Sequence, residues 1–181
     1  MVMPNPLQYL QQAEVIHTEL AVSQAISTIA TKLNADYATK QPIVIAVMNG
    51  ALFFAGQLLP QLLFPLELNY VHASRYHGEI KGNKIKWIVK PSSAVNNRDV
   101  LLLDDILDEG LTLKAIVDEC YLLGAKDVKV AVLAEKMIDK SKPILADYVE
   151  LTLPNRYVFG CGMDVHNWWR NLPAIYALHD T

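Results

Sequence analysis

Two spacings of apolar residues organise this chain. Val22, Ile26, Ile29, Leu33 and Tyr37 recur every three or four positions, which predicts a long amphipathic helix with Thr18 at its N-cap. By contrast, 43–47, 100–103 and 128–134 are unbroken apolar runs of the kind found in strands buried on both faces of a sheet. Residues 51–63 follow Asn49-Gly50 as a largely apolar helix, 66–73 reads as a strand, and 84–90 alternates enough to pair with it. Residues 113–123 predict another helix, stopped at Gly124 by the left-handed conformation common after helix ends. Strands alternating with helices predict an α/β fold, a mostly parallel twisted sheet flanked by helices.

After about Pro143 the pattern changes to short strand-like pieces, turns and an aromatic cluster. We expect one domain over 1–181, in which 143–181 and the N-terminal segment form a small hood lobe over the active edge of the sheet. Composition agrees: 52% hydrophobic and 19% charged residues describe a globular chain rather than a disordered one. A net charge of -3 supplies no electrostatic reason to expect nucleic acid or an anionic membrane as partner. Residues 41–66 carry no charge, but Pro42, Asn49, Gly50, Gln57, Pro60, Gln61 and Pro65 interrupt them, so they read as strand, loop and helix rather than a membrane span. Cys120 and Cys161 make no disulfide framework, and Cys120 falls in a predicted helix as a small core residue. The N-terminus lacks the basic and apolar blocks of a secretory signal, so a cytoplasmic location is expected.

The most informative stretch is Asp99-Val-Leu-Leu-Leu-Asp-Asp-Ile-Leu-Asp-Glu-Gly-Leu-Thr112. Its apolar strand ends in Asp104 and Asp105, followed by Asp108, Gly110 and Thr112 at the start of a helix. In open α/β sheets ligands bind at the C-terminal ends of strands, so these acids stand where a substrate would lie. Adjacent carboxylates suit a vicinal diol or a Mg²⁺ ion. Backbone N–H groups converging at a helix N-terminus suit a phosphate. Solvated strand-end acids with a helix cap at Asp108 or Thr112 satisfy the same spacing.

Taken as a whole, this stretch resembles the phosphoribosyl-pyrophosphate (PRPP) signature of type I phosphoribosyltransferases: four apolar residues, two acids, two apolar residues, then Asp-x-Gly-x-Thr. The resemblance is to the hypoxanthine-guanine type and runs from about Ile43 to the C-terminus. Ala-Val-Met-Asn-Gly-Ala-Leu-Phe-Phe at 46–54 resembles the family's pyrophosphate loop. Ser74-Arg-Tyr-His-Gly-Glu79 resembles the start of its mobile flap, with Gly78 and Gly82 as flexible points. Residues 128–136, with Asn155-Arg-Tyr-Val-Phe-Gly-Cys-Gly-Met-Asp164, resemble its purine pocket.

The resemblance implies a purine salvage enzyme that transfers the phosphoribosyl group from PRPP to N9 of hypoxanthine or guanine, with Mg²⁺ as cofactor and a homodimer or homotetramer as assembly. It implies that Asp104 and Asp105 hold the ribose hydroxyls and associated Mg²⁺, and that Asp108 manages the proton at purine N7. Glu109, Gly110, Leu111 and Thr112 would wrap the 5′-phosphate, while Asn49, Gly50 and Arg170 would meet the pyrophosphate. Lys136 would donate to O6, Tyr157 would stack on the base, and the Val158 backbone would contact its edge. Asp164 would lie near a second Mg²⁺ and near the base edge that carries O2 or N2. Arg75 and Tyr76 would belong to the flap. The bond corresponding to Met48–Asn49 is often cis in this family.

Several residues depart from the family's pattern. Glu109 replaces a small Thr or Ser in the phosphate loop, Leu111 brings no polar group, Asn49 stands where many relatives carry lysine, and Arg75 stands where serine is common. Other readings are an enzyme for xanthine or another base, and a non-catalytic regulatory protein on the same fold. The five histidines lack metal-ligand spacing, so no zinc site is expected.

Overall fold

The structure, a computed structural model, describes residues 5–75 and 85–179. A short helix α1 (Pro6–Gln11) and strand β1 (Ala13–His17) precede the long helix α2 (Glu19–Asp36), whose first turn is capped by Thr18 Oγ1 accepting from the Ala21 amide at 3.3 Å. Then follow β2 (Ile43–Met48), α3 (Ala51–Leu58), β3 (Glu67–Arg75), β4 (Ile85–Val89), β5 (Asp99–Leu107), α4 (Leu111–Leu122) and β6 (Asp127–Lys136). The chain closes with β7 (Leu151–Leu153), β8 (Val158–Phe159) and β9 (Ile175–Leu178).

The main sheet has the order β4-β3-β2-β5-β6-β7, parallel throughout except for the edge strand β4. From β2 the chain steps through α3 to β3 on one side. From β5 it steps through α4 to β6 on the other. Right-handed crossovers therefore carry α3 and α4 to opposite faces, and the strand order reverses between β2 and β5. The run 100–103 lies fully buried at the centre, while Leu113, Ile116, Val117 and Cys120 form the inner stripe of α4. Val22, Ile26, Ile29 and Leu33 do the same for α2, as their spacing predicts. Gly124 follows α4 with φ +88°.

Three sequence expectations change. Helix α3 stops at Leu58 instead of residue 63, because Pro60 has no N–H for a continuing α-helix and the chain tightens into a 3₁₀ turn, Leu59–Gln61. Strand β5 does not end before the acids. It runs on to Leu107 because β6 is long enough to keep pairing with it, Asp104 opposite Val132 and Leu107 opposite Glu135. The segment after 143 is also divided. Its first strand, β7, extends the main sheet beside β6, and the small lobe is a three-stranded antiparallel sheet ordered β1-β9-β8. Arg156 fastens that lobe through bonds to the Leu178 carbonyl and an ion pair with Glu14. Among the described residues no helix is long and apolar enough to cross a membrane.

Candidate active site

A cavity of about 430 Å³ opens at the reversal point, between the C-terminal ends of β2 and β5 and the small lobe. Its tightest corner is built by glycines. Gly50 precedes α3, and a Cβ there would lie 2.4 Å from Asp105 Oδ2. Gly162, at φ +106°, passes so close that its Cβ would lie 2.0 Å from the Gly50 carbonyl oxygen. The Met48–Asn49 peptide leading into this corner is cis.

Asp105 is thereby buried, 7% exposed, while Asp104 beside it is half-buried and accepts the Asp105 amide through Oδ1 at 3.0 Å. Burial pushes both carboxyls up. Asp104 rises well above the ordinary range, helped by the neighbouring charge of Asp105. Burial also raises Asp105, with the Arg170 guanidinium as the largest opposing influence. Such a pair gains from a cation or from hydroxyl donors placed between its members.

The next two groups meet because of register. Parallel pairing sets Leu107 against Glu135, so the following side of β5 delivers Asp108 beside Lys136 from β6. Lys136 Nζ donates to Asp108 Oδ2 at 2.9 Å, with the lysine side chain 13% exposed and the aspartate 40%. Both face the cavity.

Gly110 then turns the chain into α4 at φ +78°, and no side chain caps the helix. The amides of its first turn are left for an anion, and Gly110, Thr112 and Leu113 line the cavity beside them. Glu109 and Leu111 belong to the same loop but do not line it.

From the lobe come Tyr157, Val158, Met163, Asp164 and Arg170. The Tyr157 ring stacks on His166 at 6.1 Å between centroids, and His166 stacks in turn on Tyr9 at 5.3 Å. Arg170 donates to the Gly162 carbonyl at 2.7 Å and pairs with Asp164, whose other oxygen accepts the Asn167 amide at 2.8 Å. Asn49 completes the rim. Among the described residues no group of three His, Cys, Asp or Glu side chains gathers as a metal cage. Arg75 ends β3, and Tyr76, Gly78 and Gly82 lie outside the described residues.

Residues 12–166 match the family model described as the phosphoribosyl transferase domain. The chain belongs to that family. A hypoxanthine-guanine phosphoribosyltransferase of Streptococcus agalactiae is 32% identical over 168 residues, covering 92% of this chain and 93% of that protein. The bifunctional protein TilS/HprT of Listeria innocua is 34% identical over 166 residues, but the chain spans only 26% of its length. A solved hypoxanthine phosphoribosyltransferase of Staphylococcus aureus superposes with a TM-score of 0.87 at 27% identity, covering 98% of this chain and 97% of that one.

For a phosphoribosyl transferase domain, the residues singled out from the sequence converge well. Asp108 and Lys136 lie 28 positions apart, so no local window contains both; only the β5–β6 register joins them. Gly162 escaped notice as a residue that shapes the corner, although its place in Gly-Cys-Gly was a signal. Lys142 was missed altogether. It sits in Asp139-Lys-Ser-Lys142, which reads as solvated surface, yet its side chain is 7% exposed.

Proposed function

We propose that this chain transfers the 5-phosphoribosyl group of PRPP to N9 of hypoxanthine or guanine, releasing pyrophosphate and forming IMP or GMP. The observation that carries the reading is one cavity holding three complementary parts: an acid pair of which Asp105 is buried and Asp104 half-buried, a helix N-terminus without a side-chain cap, and a paired carboxylate and ammonium. A ribose diol, a phosphate and a 6-oxopurine are the chemical counterparts of those parts.

In this reading Asp104 and Asp105 bind the ribose hydroxyls, and the amides after Gly110 with Thr112 bind the 5′-phosphate. Asn49, Gly50 and Arg170 face the pyrophosphate, Tyr157 packs on the base, and Val158 and Asp164 border its edge. N9 attacks the anomeric carbon as the bond to pyrophosphate breaks with its electron pair. Asp108 takes the proton from N7, a form of help typically worth ~10²–10⁴-fold. Lys136, once the base separates it from Asp108, donates to O6 and offsets charge developing on the ring. Arg75 and Tyr76 are assigned to a lid that excludes water.

The donor set suits Mg²⁺ that arrives with the substrate. Mg²⁺ is commonly held by one or two carboxylates plus substrate phosphates, and Asp104 and Asp105 supply such a pair, with Asp164 on the far wall. When bound it neutralises the leaving pyrophosphate. We further assign a cytoplasmic, homo-oligomeric enzyme with no nucleic-acid or membrane partner. The test is incubation with PRPP and Mg²⁺ plus hypoxanthine, guanine, xanthine, adenine or uracil. Nucleotide should form with hypoxanthine and guanine; its absence with every 6-oxopurine would overturn the reading.

A further inference from the structure

Lys142 makes three bonds at once. Its Nζ donates to the Leu107 carbonyl at 3.0 Å, to the Lys136 carbonyl at 2.7 Å and to Glu135 Oε1 at 2.9 Å. An ammonium has three donors, so all are used, and the side chain is 7% exposed. Ordering and burying a long lysine in this way is unfavourable unless each donor is matched.

The acceptors explain where the strap acts. Leu107 and Glu135 are the last partners of the β5–β6 ladder. Beyond them, among the described residues, the β5–β6 ladder has no further pair to hold the two strands together where Asp108 and Lys136 emerge. Lys142 takes a carbonyl from each: the one leading into Asp108 and that of Lys136 itself. The residues after it reach the neighbouring loop, since a Cβ on Gly110 would lie 3.0 Å from Ile144 Cγ2 and 3.5 Å from Pro143 Cδ.

We propose that Lys142 is a positioning residue for the base subsite: with Glu135 it ties the ends of β5 and β6 so that Asp108 and Lys136 present their side chains at the spacing of purine N7 and O6. The inference rests on the base-pocket reading above. Lys142 itself does not line the cavity.

The test is a double-mutant cycle between Lys142→Met and Lys136→Ala, with melting temperature recorded for each protein. Lys142→Met should lower kcat/KM for hypoxanthine by roughly 10–100-fold, the scale set by small misplacements of reacting groups, while KM for PRPP changes less than about threefold. In the Lys136→Ala background the same substitution should change kcat/KM for hypoxanthine by less than about threefold, because the group it orients is gone. Fully additive losses, or parallel losses in both substrates' KM, would make Lys142 a general stabiliser and overturn the proposal. If Lys136→Ala alone leaves kcat/KM for hypoxanthine unchanged, the base-pocket reading fails and takes this proposal with it. Lys142→Gln, whose amide still donates to two acceptors, carries the cycle if the methionine variant does not fold, with a smaller loss in the same direction expected.

Discussion

Asp108→Asn separates chemistry from folding more cleanly than any other substitution in this site. Asparagine keeps the shape of the side chain and an oxygen that Lys136 can reach; it removes the charge and the basicity. The lost ion pair joins a 13%-exposed lysine to a 40%-exposed aspartate, so water already screens much of it. Such pairs contribute at most about 1 kcal/mol, which for a chain of this size is about 2–4 °C in Tm. Loss of a general base should lower kcat by ~10²–10⁴-fold, about 2.7–5.5 kcal/mol in the barrier. The catalytic effect is therefore several times the stability effect. The acid pair and the α4 amides are untouched, so KM for PRPP should stay within about threefold of wild type. Steady-state nucleotide formation with hypoxanthine, varied against each substrate, reads both quantities, and a melting curve checks the fold. A folded variant that turns over within about threefold of wild type would remove Asp108 from the mechanism.

Three further outcomes follow from the same geometry. Burial raises Asp105 to about 6 in the folded chain, above its ordinary 3.8, so the folded state binds more protons in that window and stability falls as pH rises through it. In chelator-containing buffer, Asp105→Asn should flatten this fall and raise Tm above neutral pH while weakening PRPP binding; an unaltered Tm–pH profile would count against the buried-acid account. Gly162→Ala forces a Cβ to 2.0 Å from a backbone oxygen at φ +106°, so urea unfolding should show a loss of about 2–5 kcal/mol, and a loss below about 0.5 kcal/mol would contradict the packing described. Gly50→Ala has no such backbone strain but meets the Asp105 carboxylate at 2.4 Å, so it should raise KM for PRPP with a smaller effect on Tm; an unchanged KM would refute that contact's importance.

Local pattern determined a good deal of this protein. The strand runs at 43–47, 100–103 and 128–134, the Thr18 cap and the Gly124 stop are properties of short windows, and each is found in the structure. The acid-rich stretch 104–112 also points to a diol, a cation or a phosphate, although its spacing alone equally fits solvated acids with a helix cap, and only the whole motif's resemblance to the PRPP signature separates the two. Other features depend on what a segment meets. Pro60 shows where α3 has to end, yet the length of β5 was set by its neighbour β6. The lobe joins β1 to β9 across nearly the whole chain, a pairing that no local window contains.

Charged residues show the division most clearly. Lys136 comes just after an apolar run and Lys142 lies in the polar stretch Asp139-Lys-Ser-Lys142, yet in sequence each reads as a solvated surface charge. Folding puts the first against Asp108 at the cavity and the second against two strand-end carbonyls and Glu135. Hydrophobic periodicity encodes which face is buried, so it can be read along the chain. Which polar groups a buried ammonium satisfies depends on donors and acceptors brought together by strand register, and only the tertiary structure decides that.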